Sequence, residues 1–478
     1  MRVISGVELA SCGRSLPAQF VVSLGGGTTL SVTQILRLLP GKRLTCRAKY
    51  EGRMVLVKLF FGSAYSRHCS REIEGVGYIE KAGVNTPRLI LSAEDPSQQL
   101  AFALFEFLQQ AETLQNRWLD ATTEQAKKDV FKQALGAIAQ LHNHSVYQKD
   151  IHLNNFLLCD GRLYLIDGGQ VFQEKAKDGV GVKESTTNVA LFFAQFFPWE
   201  DSWLDVVFNY YLEARNRSLE MPIQEVKNKV IEQRERRERK YIDNKIFRRC
   251  SEFNTIKNWS SYCVFSRIFD EKDVEELINN PDRFIERGRV LKSGRSATVA
   301  KIDFAGRTYI IKRYNKKSAS HRLARSLLDS RAVVSWRNGH LLTFNGIPTA
   351  APLLVFEQRF GVMRAGSYVV TEYIEGEHAF NFFSRDDQSE AAKLMAEKIA
   401  QLIKRLHQSG FNHGDLKSHN IWISGDKPLL IDLDGMKRNR GKKRQLKLVK
   451  KDWLRLHRDL GNSVIASILF SGQEWLND

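Results

Sequence analysis

One three-point spacing occurs twice in this chain, and it restricts the fold more than any other feature. Asp150 precedes Asn155 by five residues and Asp167 by 17, and Asp415 precedes Asn420 by five and Asp432 by 17. Each set has the same neighbours. RMVLVKLFF (Arg53 to Phe61) and RTYIIKRYN (Arg307 to Asn315) are short β-type runs with an internal lysine, Lys58 and Lys312. FKQALGAIAQLHNH and AEKIAQLIKRLHQSG carry apolar residues at helical spacing, and Gly410 stops the second as a C-cap would. LYLIDGG and PLLIDLD are buried-strand patterns ending at an acid. A lysine strand, a helix, a loop with Asp and Asn, then a strand ending in Asp, all repeated, predicts α+β architecture in two tandem copies. Each copy has a sheet-rich N-terminal lobe and a helical C-terminal lobe.

A length of 478 residues accommodates two such domains. The expected bounds are 1–215 for the first and 261–478 for the second. The stretch 216–260 lies between them and contains VIEQRERRERKYIDNKIFRRC (Val230 to Cys250). Its alternating charges predict an exposed helical connection, and it lacks the Gly, Pro and Ser of a flexible linker. The longest apolar run, Val189 to Phe197, is too short to span a bilayer and predicts a buried helix. The N-terminal segment lacks a continuous apolar stretch of signal-peptide type, so a cytoplasmic chain is expected. Six cysteines without a CxxC pair read as reduced thiols.

The repeated residues have the chemistry of phosphoryl transfer, which needs a cation on the nucleotide phosphates, an acid and an amide for Mg²⁺, and a carboxylate facing the attacking hydroxyl. Lys58 and Lys312 fit the first role. Asn155 with Asp167, and Asn420 with Asp432, fit the second, since oxygen ligands suit Mg²⁺. Asp150 and Asp415 fit the third. The turns that would cover the phosphates centre on Gly41 and Gly294, whereas Gly25 to Gly27 read as a plain loop. Taken singly, each lysine reads as a strand-edge residue and each Asp as a turn cap; the ordered set carries the catalytic reading.

These residues resemble the protein-kinase-like superfamily, with departures. Gln148-Lys149-Asp150 and His413-Gly414-Asp415 stand where that template has His-Arg-Asp. Asp167-Gly168-Gly169 and Asp432-Leu433-Asp434 stand where it has Asp-Phe-Gly. The Arg that answers activation-loop phosphorylation is absent from both, so protein substrates are not implied. A finer resemblance, to the lipopolysaccharide kinases of inner-core heptose and Kdo, rests on PGKRLTCRAKYEGRMVLVKLFFG, REIEGVGYIEKAGVNTPRLI and SRAVVSWRNGHLLTFNGIPTAAPL. It implies ATP and Mg²⁺ as cofactors and the sugar hydroxyls of the lipopolysaccharide core oligosaccharide as acceptor. It further implies that Lys58 pairs with Glu72 or Glu74 of the following helix. The matching positions in the second copy are Ser335 and Arg337. A small-molecule kinase of aminoglycoside type, or a catalytically silent pair that binds lipopolysaccharide or a partner, are the alternatives.

The net charge of +18 favours anionic partners. No nucleic-acid-binding motif accompanies it, so nucleic acid is not an expected partner. From Lys437 to Lys451 the chain holds nine basic residues and no acid, directly after the second metal Asp. This run reads either as a solvated loop or as a docking segment for core phosphates or an acidic inner-membrane surface.

Overall fold

The computed structural model describes residues 2–24, 29–175, 178–215, 220–315, 329–360, 363–385, 388–438, 441–460 and 464–470. Gly25 to Gly27 and part of the basic run lie outside these. Two compact units form: Met1–Phe196 with Asp201–Arg234, and Phe197–Glu200 with Glu235–Asp478.

The first unit opens with β1 (Val3–Ile4), β2 (Phe20–Ser23), β3 (Thr29–Leu39), β4 (Arg43–Tyr50) and β5 (Arg53–Phe61). The helix Tyr65–Lys81 follows, then β6 (Leu89–Asp95) and β7 (Leu100–Glu106). They form one sheet in the order β1-β2-β3-β4-β5-β7-β6. Side chains alternate across a strand, and β5 uses both faces. Val55, Val57, Leu59 and Phe61 enter the sheet's own core. Phe60 packs on the other face with Cys69 and Val76 of the Tyr65–Lys81 helix. Lys58 shares the parity of Phe60 and so faces that helix.

The second unit contains β8 (Phe253–Lys257), β9 (Ser261–Ser266), β10 (Arg289–Ser293), β11 (Ala297–Phe304) and β12 (Arg307–Tyr314). The helix Arg331–Phe344 follows, then β13 (Pro352–Phe360) and β14 (Met363–Glu372). The sheet order is β8-β9-β13-β14-β12-β11-β10. The two sheets share five antiparallel strands: β3-β4-β5-β7-β6 corresponds to β10-β11-β12-β14-β13. The first unit extends this core beyond β3 and the second beyond β13, at opposite edges. Tyr309 and Ile311 of β12 enter one core while Tyr314 enters the other, so Lys312 faces the Arg331–Phe344 helix.

Each helical lobe is built on a long amphipathic helix. In Glu124–Asn143, Thr123 caps the amide of Ala126, and Phe131, Leu135 and Ile138 are buried. In Glu390–Gln408, Ser389 caps Ala392, and Met395, Ile399, Ile403 and Leu406 are buried. Gly410, at φ +81°, follows this helix as its sequence position implied. The apolar run from Val189 includes the last turns of the helix Val182–Phe193, with Phe192 and Phe193 in the core.

The charged stretch departs from the expectation of a solvated helix. Ile223–Asn244 is helical, but Val226 and Val230 are buried in the first unit's core and Ile242 in the second's. Glu238, 5% exposed, bonds Arg438 and Asn345. The apolar residues sit at helical spacing among charges that conceal the pattern. The division between units falls inside this helix, and Phe253–Lys257, placed by sequence in the connection, is a strand of the second sheet.

Candidate active sites

In the second unit, Lys312 lies mid-sheet, its backbone between Val299 and Val369. Its ammonium bonds the carboxylate of Asp432. Burial alone would raise that carboxyl, but the Lys312 charge outweighs it and holds Asp432 below the usual range. Burial likewise works against the charged Lys312, and Tyr314 and Asp432 reverse it, so the ammonium is held above its ordinary value. Asp432 adopts φ +61°, a left-handed conformation uncommon outside glycine.

No acid comes from the Arg331–Phe344 helix at the expected place. Ser335 bonds the Tyr314 hydroxyl at 2.6 Å instead. The residue two beyond Asp432, Asp434, takes Arg331 Nε at 2.6 Å.

The loop holding Asp415 is fixed from several directions. Asn420 Nδ2 donates to the Asp415 carbonyl at 2.8 Å and to Oδ2 at 3.1 Å, leaving its amide oxygen for a cation. The Ile431 amide donates to Asn420 O at 3.0 Å, which sets Asn420 beside Asp432. His413, fully buried, bonds Ile431 O through Nε2 at 3.0 Å. Burial keeps its imidazole below the ordinary value although Asp452 opposes this. Gly414, at φ +81°, passes so close to Gly435 that a Cβ there would stand 2.3 Å from its carbonyl oxygen. That explains Gly in this position. Asp415 is 45% exposed and carries two cations, Lys417 at 3.1 Å and Arg455 at 2.9 Å.

A cavity of about 720 Å³ opens here, lined by Gly294, Lys312, Asn420 and Asp432 with apolar Val299 and Leu429 among others. That size and composition suit a small ligand with an apolar body and a charged end. Asp432 with Asn420 fits a cation that keeps waters and takes few protein carboxylates, as Mg²⁺ does.

In the first unit, Lys58 donates to Glu72 at 2.5 Å and to Asp167 at 3.2 Å. The carboxylate is Glu72, not Glu74, which is exposed. Glu72 also accepts the amides of Gly168 and Gly169 at 3.0 Å each. Gly75 makes this possible, since a Cβ there would meet Gly168 O at 1.9 Å. Asp167 has φ +72°, matching Asp432. Burial would raise its carboxyl, and Lys58 and Arg43 hold it below the usual range. Arg43 lies 3.6 Å from Asp167, two residues past Gly41, whose φ is +69° in the β3–β4 turn. Asn155 Nδ2 donates to Asp150 O at 2.7 Å, and Gln148 bonds Ile166 O at 2.9 Å, as His413 does Ile431 O.

Three further links recur between the loops and the segment that follows. Asp452 takes the amide of His413 across 39 residues, and Asn188 donates to Gln148 O across 40. Asp452 pairs with His407 across 45, and Asn188 with His142 across 46. Asp459 takes the amide of Ser418 across 41, and Gln195 that of Leu153 across 42. The second unit's acids are amides in the first. Lys417 has His152 at its counterpart, and Arg455 has Leu191.

The structure therefore gathers Lys58, Glu72 and Asp167, and separately Lys312, Asp432 and Asn420. Sequence reasoning placed Arg43 only in the turn at Gly41, and it missed Arg331, Lys417, Arg455 and Asp452. Asp452 had one signal, being the first acid after the basic run.

Sheet, helix, loop and strand-end Asp define protein-kinase-like α+β units. Residues 275–477 match the model described as the Lipopolysaccharide kinase (Kdo/WaaP) family, which bears out over that span the resemblance read from the sequence. Among curated proteins, 3-deoxy-D-manno-octulosonic acid kinase of Xylella fastidiosa (strain M12) is 30% identical over 106 residues, 22% of this chain and 41% of that protein. The EKC/KEOPS complex subunit BUD32 of Debaryomyces hansenii is 45% identical over 49 residues, 10% of this chain and 19% of that one. The chain thus spans about two fifths, 41%, of the length of the octulosonic acid kinase it matches. A solved structure, WaaP in complex with acyl carrier protein, aligns at 20% identity and TM-score 0.31, covering 42% of this chain and 86% of that one. Among the described residues no helix is long and apolar enough to cross a membrane.

Proposed function

We propose that the second unit transfers the γ-phosphoryl group of ATP to a sugar hydroxyl of the lipopolysaccharide inner core, heptose or Kdo. The observation that carries this is the convergence of Lys312, Asn420 and Asp432 on one cavity, with Asp415 anchored to Asn420, inside the span matched by the family. Lys312 would hold nucleotide phosphates, and Asn420 and Asp432 would hold Mg²⁺, which supplies charge neutralisation between the phosphates when bound. Asp415 orients the acceptor hydroxyl and takes its proton. Lys417 and Arg455 hold that carboxylate in place.

The first unit supports a second reading. It keeps Lys58, Asp150, Asn155 and Asp167, but Asn188, Gln195 and Leu191 stand where the second unit has two acids and an arginine. That pattern favours a nucleotide- or substrate-holding unit over a second transferase. The chain would work in the cytoplasm, against the inner face of the inner membrane.

The test is nucleotide turnover by the full chain with and without core oligosaccharide, with phosphates on the product counted by mass spectrometry. One added phosphate, lost in Asp415→Ala, is expected. Equal turnover with and without acceptor, and no added phosphate, would refute the proposal. Transfer to an aminoglycoside in place of the core would favour the small-molecule alternative.

A further inference from the structure

The helix Lys442–Leu460 contains most of the basic run, and it is strongly two-sided. At 100° per residue, Val449, Asp452, Trp453, Leu456 and Leu460 fall on one side. Trp453 and Leu456 are buried in the core, and Val449 and Leu460 pack against it. Arg444, Lys447, Lys451, Arg455 and Arg458 fall within roughly 80° on the opposite side. All five are exposed. The helix's two acids are turned elsewhere: Asp452 receives the amides of His413 and Gly414, and Asp459 that of Ser418. The result is an unbroken row of cations about 21 Å long at 1.5 Å per residue.

The row leads to the reaction centre. Arg455 Nη1 donates to Asp415 Oδ1 at 2.9 Å and also bonds the Gly414 carbonyl. The residue that would face the acceptor hydroxyl is therefore in contact with the fourth member of a basic track that starts at Arg444 and ends at Arg458.

We propose that this face is the acceptor-binding track: it seats an extended saccharide bearing several carboxylates or phosphates, with its reacting hydroxyl at Asp415. The inference rests on the phosphotransferase reading above and specifies its acceptor as polyanionic and several sugars long. Charge complementarity selects the class, because five cations in line match anions repeated along a chain better than a single charged group. Continuity with Asp415 through Arg455 selects the acceptor over a membrane surface, which has no need of a row that contacts the reacting centre. Arg444, Lys447 and Lys451 are far enough along the helix from Asp415 to act on binding rather than on chemistry.

The experiment compares the full chain with its Arg444→Gln/Lys447→Gln/Lys451→Gln variant. The acceptors are deacylated lipopolysaccharide core oligosaccharide and the same oligosaccharide after chemical dephosphorylation. For the intact acceptor the variant should raise KM about tenfold, with kcat within about twofold and a weaker salt dependence, because screened charge contacts are lost. The dephosphorylated acceptor should narrow the gap between variant and wild type, and the KM for ATP should stay unchanged. An unchanged KM for the intact acceptor would overturn the inference while leaving the phosphotransferase reading in place. So would a defect seen only when the acceptor is embedded in anionic vesicles, which would assign the track to the membrane. Failure of the wild-type chain to phosphorylate any acceptor would remove both, and is visible before any variant is made.

Discussion

The carboxylate of Asp452 accepts the backbone amide of His413 at 2.7 Å. It takes that of Gly414 at 2.9 Å as well, so one buried side chain fixes the loop that presents Asp415. Asn188 does the corresponding work in the first unit with a different polarity, donating to Gln148 O. Substituting Asp452→Asn would copy the first unit's amide into a site shaped for an acceptor with two oxygens. It should lose one of two charge-assisted bonds and set an amide N–H against a backbone N–H, at a cost of about 1–3 kcal/mol. We expect a lowered second-unit unfolding midpoint and reduced phosphoryl transfer. An unaltered midpoint in denaturant titration would mean the loop is held by other contacts.

The roles given to Asp415 and Asp432 separate by substitution. Asp415→Ala should keep nucleotide binding and lose transfer, because Asp415 is half-exposed and does not line the cavity. Asp432→Ala should weaken Mg²⁺-dependent nucleotide binding and transfer together, since it removes the partner of Lys312. Calorimetry with a non-hydrolysable nucleotide, beside the transfer assay, reads both. Full transfer by the Asp150→Ala/Asp415→Ala double variant would sink the kinase reading.

The two lysine strands, their following helices and the paired Asp-x4-Asn loops were legible because each is local. The short apolar run of β5 around its lysine and the period near 3.6 in Glu390–Gln408 can each be read from a short window of the sequence. The family resemblance narrowed the partner of Lys58 to Glu72 or Glu74, and the structure selects Glu72, 14 residues on. Arg455 and Asp452 were not legible. They reach the loop from 40 and 39 residues downstream, in a helix whose bases hide Val449, Trp453 and Leu456 at helical spacing. Arg331 was hidden too, since its tie to Asp434 spans 103 residues and has no counterpart in the first copy.

Two buried imidazoles make stability depend on pH. Burial pushes His142 and His340 down to about 3 from an ordinary 6.5. His142 sits in a chain of bonds in which Arg215 donates to the Tyr211 hydroxyl, Tyr211 to His142 Nδ1, and His142 Nε2 to Asn188. That order requires the neutral ring. Between pH 6.5 and 3 the unfolded chain binds more protons at these positions than the folded one, so stability falls as pH falls through that window. Denaturant midpoints should drop from pH 7 to pH 4.5, and His142→Gln should lessen the drop in the first unit. Identical pH dependence in variant and parent would disprove the linkage.

The last prediction concerns nucleotide stoichiometry. Both units hold a lysine against a left-handed Asp at a strand end, with an Asn beside it, and that argues for two nucleotide sites. The electrostatics differ. Asp167 already faces Lys58 at 3.2 Å and Arg43 at 3.6 Å, while Lys58 is also tied to buried Glu72. Asp432 faces Lys312 alone among these roles, because Ser335 stands in the place of Glu72 and Arg331 is engaged with Asp434. Arg43, the extra cation near the first carboxylate, takes up charge that a divalent ion would otherwise neutralise. Calorimetry on the full chain with Mg²⁺ and a non-hydrolysable nucleotide should give two sites. Asp167→Ala and Asp432→Ala should each leave one. Removing Mg²⁺ with a chelator should weaken the site left in Asp167→Ala more than the site left in Asp432→Ala. A single site, abolished by Asp432→Ala and untouched by Asp167→Ala, would make the first unit a scaffold for the second.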